Sequence, residues 1–150
     1  MSPAQEQFRR VIHYLRRMER MGATDEDTED MYTFFMHAWH LCDWVSNDPT
    51  LNQKRSLEVI RKSDCTDSIR LCGDIADGRK HYTLTRPPRQ YGEVTLKDIR
   101  ITPGAGIPAQ ARYQFTFPDG SKRDALDFAR EIVRDWEGIL SRYGVSLGTS

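Results

Sequence analysis

Apolar residues recur every three or four positions through the first twenty residues of the chain. Phe8, Val11, Ile12, Leu15 and Met18 fall on one stripe, which predicts a helix from about Pro3 to Met21. Ser2 is placed to cap it, Pro3 suits its first position, and Gln5 completes a capping box. Gly22 is the expected stop. Arg9, Arg10, Arg16, Arg17 and Arg20 gather on the opposite side, with His13 among them. A second helix is predicted after Thr24, where Asp25, Glu26 and Asp27 suit the positive end of its dipole. From Met31 to Val45 it is apolar nearly all round, so it is expected to be the most buried helix. Asp48 is placed to cap a third helix running from Pro49 to about Lys62. A fourth is expected from Ser63 or Asp64 to about Ala76, with Ile69, Cys72, Ile75 and Ala76 as its apolar face and Gly78 at its end.

The period then changes from helical to alternating. Tyr82–Thr85 reads as a short strand, and Val94, Leu96, Ile99 and Ile101 as a longer one with a bulge near Asp98. Pro103 to Pro108 reads as a loop. Tyr113, Phe115 and Phe117 alternate cleanly and mark a strand with one buried face. Pro118-Asp119-Gly120 is a turn signal, after which Ser121 to Arg123 can pair back. A final amphipathic helix is predicted from Asp124 to Tyr143, carrying Leu126, Ala129, Ile132 or Val133, Trp136, Leu140 and Tyr143. Gly144 stops it, and Val145 to Ser150 are expected to fray. The predicted class is α+β: an up-down set of about four helices, a small antiparallel sheet of two to four strands, and a closing amphipathic helix. No Gly-Ser linker separates the parts, so residues 1–150 read as one domain: 3–80 helical, 82–123 β, and 124–143 the closing helix.

Composition narrows the function classes. Apolar residues make up 38% of the 150 residues and charged residues 29%, which suits a globular protein with a real core. Lys plus Arg balance Asp plus Glu at 22 each, so no global field favours nucleic acid or an acidic membrane. The three cysteines, Cys42, Cys65 and Cys72, form no C-x-x-C, which argues against a disulfide framework or a zinc site. No apolar run is long enough to span a bilayer, and the first residues lack the pattern of a signal peptide. The expectation is a cytoplasmic protein without a membrane partner.

The most suggestive chemistry lies in His40-x-x-Asp43-Trp44 and in Asp74-x-x-Asp77-x-x-Lys80-His81. Three-residue spacing puts His40 and Asp43 on one helical face, and likewise Asp74 and Asp77. If the second and fourth helices run parallel, the two clusters reach the same level. His40, Asp43, Asp77, Lys80 and His81 are therefore the candidate catalytic set. His40, Asp43, Asp77 and His81 are the candidate ligands for a divalent metal. The same residues also suit a purely structural polar network at the end of a bundle. His37, one turn from His40, is a weaker candidate.

These segments carry a resemblance. Phe34-Phe35 with His37-Ala-Trp-His-Leu-Cys-Asp-Trp-Val45, then Cys72-Gly-Asp-Ile-Ala-Asp-Gly-Arg-Lys-His81, resemble a widespread set of small uncharacterised bacterial proteins with His-Leu-x-Asp-Trp and Asp-x-x-Asn-Gly-x-Lys-His segments. The C-terminal Asp-Ala-Leu-Asp-Phe-Ala and Trp136 match theirs as well, so the resemblance covers most of the chain. The first ~80 residues are remotely similar in helix pattern to the HEPN superfamily of helical domains, many of them RNases. That similarity implies action on RNA or a nucleotide through an Arg and a His with four to six residues between them. None of His13, His37, His40 and His81 has an Arg at that spacing, and Asp77 stands where the closer relatives carry Asn.

The leading expectation is thus a noncatalytic interaction or dimerisation module, bound to itself or to another protein, needing no cofactor and linked to a bacterial defence or mobile-element locus. A second is a HEPN-like or metal-assisted hydrolase of RNA or a nucleotide. A third is a nucleic-acid-binding module using Arg9, Arg10, Arg16, Arg17 and Arg20 against phosphates. The glycines of Pro103–Pro108 lack a P-loop Lys-Ser/Thr, and Cys42 and Cys72 read as core residues.

Overall fold

Ser2 and Gln5 set the first element. The Ser2 hydroxyl accepts the Gln5 amide at 3.3 Å, and the Gln5 side chain accepts the Ser2 amide at 2.8 Å. This reciprocal pair satisfies amides that every helix start leaves open. From it α1 runs Pro3–Glu19 in the computed structural model, which describes residues 1–20, 25–82, 94–96, 99–103, 113–117 and 119–147, the side chains of 25–28, 78–82, 94–96 and 99–103 excepted. The next helix, α2, spans Asp25–Ser46 and buries Met31, Tyr32, Phe34, Phe35, Ala38, Leu41, Cys42 and Val45. It is the core helix that its pattern predicts. The two helices form an antiparallel hairpin: Gln7 and Tyr14 meet His37, Arg10 meets Trp44, and Arg17 pairs with Asp30.

The next stretch departs from expectation. Asp48 does not cap a third helix starting at Pro49. Its carboxylate accepts the Ala4 amide at 3.0 Å, the Thr50 amide at 2.9 Å and the Thr50 hydroxyl at 2.6 Å. It therefore caps α1 from across the chain. Burial alone would raise its pKa, but the bonds from Thr50, Ala4 and Ser2 outweigh burial and hold the carboxyl below the ordinary range. Helical structure resumes only at α3, Leu57–Val59, with Ser56 as its cap. It continues into a wide π-type turn over Ile60–Asp64, closed by the Cys65 amide on the Ile60 carbonyl at 2.9 Å. Helix α4 then spans Asp67–Tyr82, starting later than expected at a Thr66 hydroxyl that accepts the Ile69 amide, and passing through Gly78.

The third helical stretch, over 57–64, is short and does not start at Pro49. Helix α4 lies antiparallel to α2, where the sequence expectation is parallel. The Cys72 thiol donates to the Phe35 carbonyl at 3.0 Å, while Cys65, seven residues earlier, faces Cys42, seven residues later.

The sheet is four-stranded and antiparallel in the order β1-β2-β3-β4, with β1 Val94–Leu96, β2 Ile99–Pro103, β3 Tyr113–Thr116 and β4 Lys122–Asp124. The expected bulged strand is in fact a hairpin. Leu96 pairs with Ile99 and Val94 with Ile101, leaving only two residues to link β1 and β2. Pro103 belongs to β2 and Tyr82 to α4; the remainder of the expected 82–85 strand and 103–108 loop lies outside the described residues. Tyr113, Phe115 and Phe117 are buried as their alternation requires, and Gly120 turns the chain at φ 88° before β4 pairs back.

Asp124 caps α5, Ala125–Arg142, by accepting the Asp127 amide at 3.0 Å. At its other end the Val145 amide reaches the Leu140 carbonyl at 2.9 Å and the Gly144 amide the Ser141 carbonyl at 3.1 Å, with Gly144 at φ 78°. This is a Schellman ending. It buries Val145, where fraying is the sequence expectation. The buried Trp136 of α5 donates to the Ala38 carbonyl at 3.0 Å, and the rings of Phe35, Phe115, Phe117 and Phe128 pack at 5.3 to 6.2 Å. Helices, sheet and closing helix thus share one core. Among the described residues no helix is long and apolar enough to cross a membrane.

Candidate functional site

The antiparallel packing of α2 and α4 decides what becomes of the His-Asp constellation. Phe35 lies level with Cys72, so His40 and Asp43 extend toward the start of α4 and Asp77 toward its end. At a rise of 1.5 Å per residue, His40 and Asp77 stand about 15 Å apart along the helix axes. Lys80 and His81 fall in the last turn of α4, farther still from His40, with side chains outside the described residues. Asp43 instead lies 3.7 Å from Arg61, whose guanidinium stacks 4.8 Å from the Trp39 ring. Among the described residues no group of three or more His, Cys, Asp or Glu side chains is arranged to hold a metal ion.

Among the histidines whose side chains are described, His37 is the one held by hydrogen bonds from a buried side chain. The buried Gln7 donates from Nε2 to the His37 carbonyl at 3.0 Å and lies 3.1 Å from His37 Nδ1. Gln7 Oε1 accepts from Arg10 at 3.0 Å. An amide nitrogen can only donate, so Nδ1 accepts and the ring proton sits on Nε2. Tyr14 stacks on the imidazole at 5.1 Å. Burial, then His40, then Arg10 lower the His37 pKa, which keeps the ring neutral. A ring with Nδ1 occupied and Nε2 protonated has no free lone pair with which to take a proton. His37 is thereby a poor general base.

The four arginines of α1, and Arg20 just past its end, divide. Arg17 binds Asp30 at 2.9 Å, and Arg10 stacks 4.9 Å from the Trp44 ring. Arg9, His13, Arg16 and Arg20 recur at four- and three-residue steps along one exposed face. Beside them two adjoining cavities, of about 200 and 620 Å³, share Phe8, Arg9 and Leu147. Together they form one open groove between α1, α5 and the segment after α5. Phe8, Ile12 and Leu147 supply its apolar surface, Arg9 and Arg16 the cations of its rim with His13 between them, and Glu137 a wall on α5. The Gln5 side chain that completes the capping box also donates to the Ser146 carbonyl, which fixes the tail as the groove's third side.

No protein-family model, curated protein or solved structure matches the chain. Sequence reasoning finds the basic face of α1 but misses the groove. The missing wall is Ser146 and Leu147, in a segment whose composition reads as a frayed end, where Gly144 is the signal that the chain folds back.

Proposed function

We propose that this chain is a noncatalytic docking module that takes an acidic, amphipathic segment of another protein into the groove between α1, α5 and residues 145–147. The observation that carries this reading is the pairing of an apolar floor with a rim of two arginines. Phe8, Ile12 and Leu147 offer surface for aliphatic side chains, while Arg9 and Arg16 favour carboxylates along one edge. Glu137 opposite adds a repulsive element that orients the incoming charge. A nucleic-acid strand fits less well. Arg10 and Arg17 are engaged elsewhere, and the groove surface is aliphatic apart from Phe8, without the row of rings that stacks bases. The separation of His40 and Asp43 from Asp77 weighs against the hydrolase reading.

Titrating the full chain into a fluorescein-labelled peptide of Glu and Leu at helical spacing tests the proposal. Saturable binding is expected, weakened at least tenfold by the Arg9→Glu/Arg16→Glu pair and by moderate salt. Binding that ignores the charge reversal overturns the reading. So does a preference for single-stranded RNA over the peptide, or a self-association that the same pair dissolves.

A further inference from the structure

The three cysteines, which share no motif in sequence, converge where the end of α2 meets the π-type turn and the first half of α4. Cys42 and Cys65 place their Sγ atoms 3.6 Å apart across 23 residues of chain. Cys72 is committed otherwise: fully buried, it donates its S–H to the Phe35 carbonyl at 3.0 Å. The pair is held from both sides. Cys42 is buried within α2, and Cys65 is held by its amide on the Ile60 carbonyl and by Arg70, which donates to the Cys65 carbonyl at 2.9 Å. All three cysteines are buried, and of them only Cys65 keeps any exposed area, 4% of the residue.

We infer that Cys42 and Cys65 are a redox-active dithiol, which a low-molecular-weight disulfide converts to an intramolecular Cys42–Cys65 disulfide. The two thiols are not equivalent. The hydrogen bond from Cys42 stabilises the Cys65 thiolate; burial opposes this, and Arg70 and Arg61 assist it, so the Cys65 pKa falls. The same bond, together with burial, pushes the Cys42 thiol up. Cys65 is therefore the attacking sulfur. Its thiolate attacks one sulfur of the small disulfide, forming a mixed disulfide and expelling one small thiolate. That thiolate takes the Cys42 proton. Cys42 then attacks Cys65 Sγ, the new S–S bond forms, and the second small thiolate leaves. Two protein thiols are oxidised and one small disulfide is reduced to two thiols. None of the groove residues takes part, so this inference stands apart from the docking proposal.

Incubation of the full chain with oxidised glutathione, followed by denaturing alkylation and peptide mapping, reads the outcome. The expected result is a Cys42–Cys65 cross-linked peptide, with Cys72 alkylated and the bond reversed by dithiothreitol. Oxidised protein should melt about 5 °C higher, as a closed loop of this length stabilises the fold. The Cys42→Ser variant should stop at the mixed disulfide on Cys65, visible as one added glutathione. Three alkylated cysteines after prolonged oxidation of the native chain overturn the inference, as does a cross-link through Cys72 or between two chains. The native-chain measurement stands even where the variant fails to fold.

Discussion

Gln7 shows how one buried amide can decide the chemistry of a neighbour. Its three hydrogen-bonding contacts, to Arg10, to the His37 carbonyl and to His37 Nδ1, leave the imidazole one tautomer. Desolvation, with His40 and Arg10 adding to it, depresses the His37 pKa below 6.5. The sign of the linkage follows. On acidification the unfolded chain takes up the proton first, so His37 contributes full stability above about pH 6.5 and loses it as pH falls toward the folded value. Urea denaturation at a series of pH values should show a native-minus-His37→Gln difference that shrinks steadily below pH 6.5. A difference that does not vary with pH would show that His37 is not held neutral. Sequence reading places His37 next to His40 but cannot orient either, because the deciding group, Gln7, lies 30 residues away on another helix.

At the scale of elements, the α2–α4 contact rests on a missing side chain. A Cβ on Gly73 would stand 2.7 to 2.9 Å from three atoms of the Trp39 ring, over which the Arg61 guanidinium also lies. Gly73→Ala gains about 1 kcal/mol in helix propensity and loses about 1–3 kcal/mol to overpacking. The expected net effect is destabilisation of about 1 kcal/mol, measured as a lower midpoint in urea at unchanged slope. Pairing it with Trp39→Leu should recover most of that loss in a double-mutant cycle, and additivity of the two changes would refute the contact. Most elements were legible from local pattern: the capping box of α1, the apolar run of α2, the alternation of β3 and the spacing of α5 all survive. The failure at residues 49–66 is physical. Asp48-Pro49 is a sound helix-start signal, but the Asp48 carboxylate finds a better set of donors at Ala4 and Thr50, a tertiary solution that local pattern does not carry. The third helical stretch is accordingly shorter than expected, and α4 packs antiparallel to α2, which separates His40 from Asp77. The candidate residues lie on the helices the pattern assigns them to, but the expected levelling of the two clusters is undone by the antiparallel packing of α2 and α4.

At the scale of the whole molecule, the segment after α5 joins the two ends of the chain, and stability and docking can be separated within it. Val145 belongs to the fold: it is buried, and its amide closes the Schellman ending of α5. Ser146 and Leu147 belong to the groove: one receives the Gln5 side chain, and the other walls both cavities while staying 36% exposed. Removing residues 146–150 should leave the melting temperature within about 2 °C, because little buried apolar surface is lost. It should nevertheless weaken the acidic peptide at least fivefold by opening the third side of the groove. Removing Val145 as well gives up a buried side chain and a helix-end hydrogen bond, about 2 kcal/mol together, and should lower the melting temperature by about 5 °C. Differential scanning calorimetry and the peptide titration on the same two truncations separate the roles. If the shorter truncation binds the peptide as the full chain does, the tail is only the end of a helix and the docking surface lies elsewhere on α1.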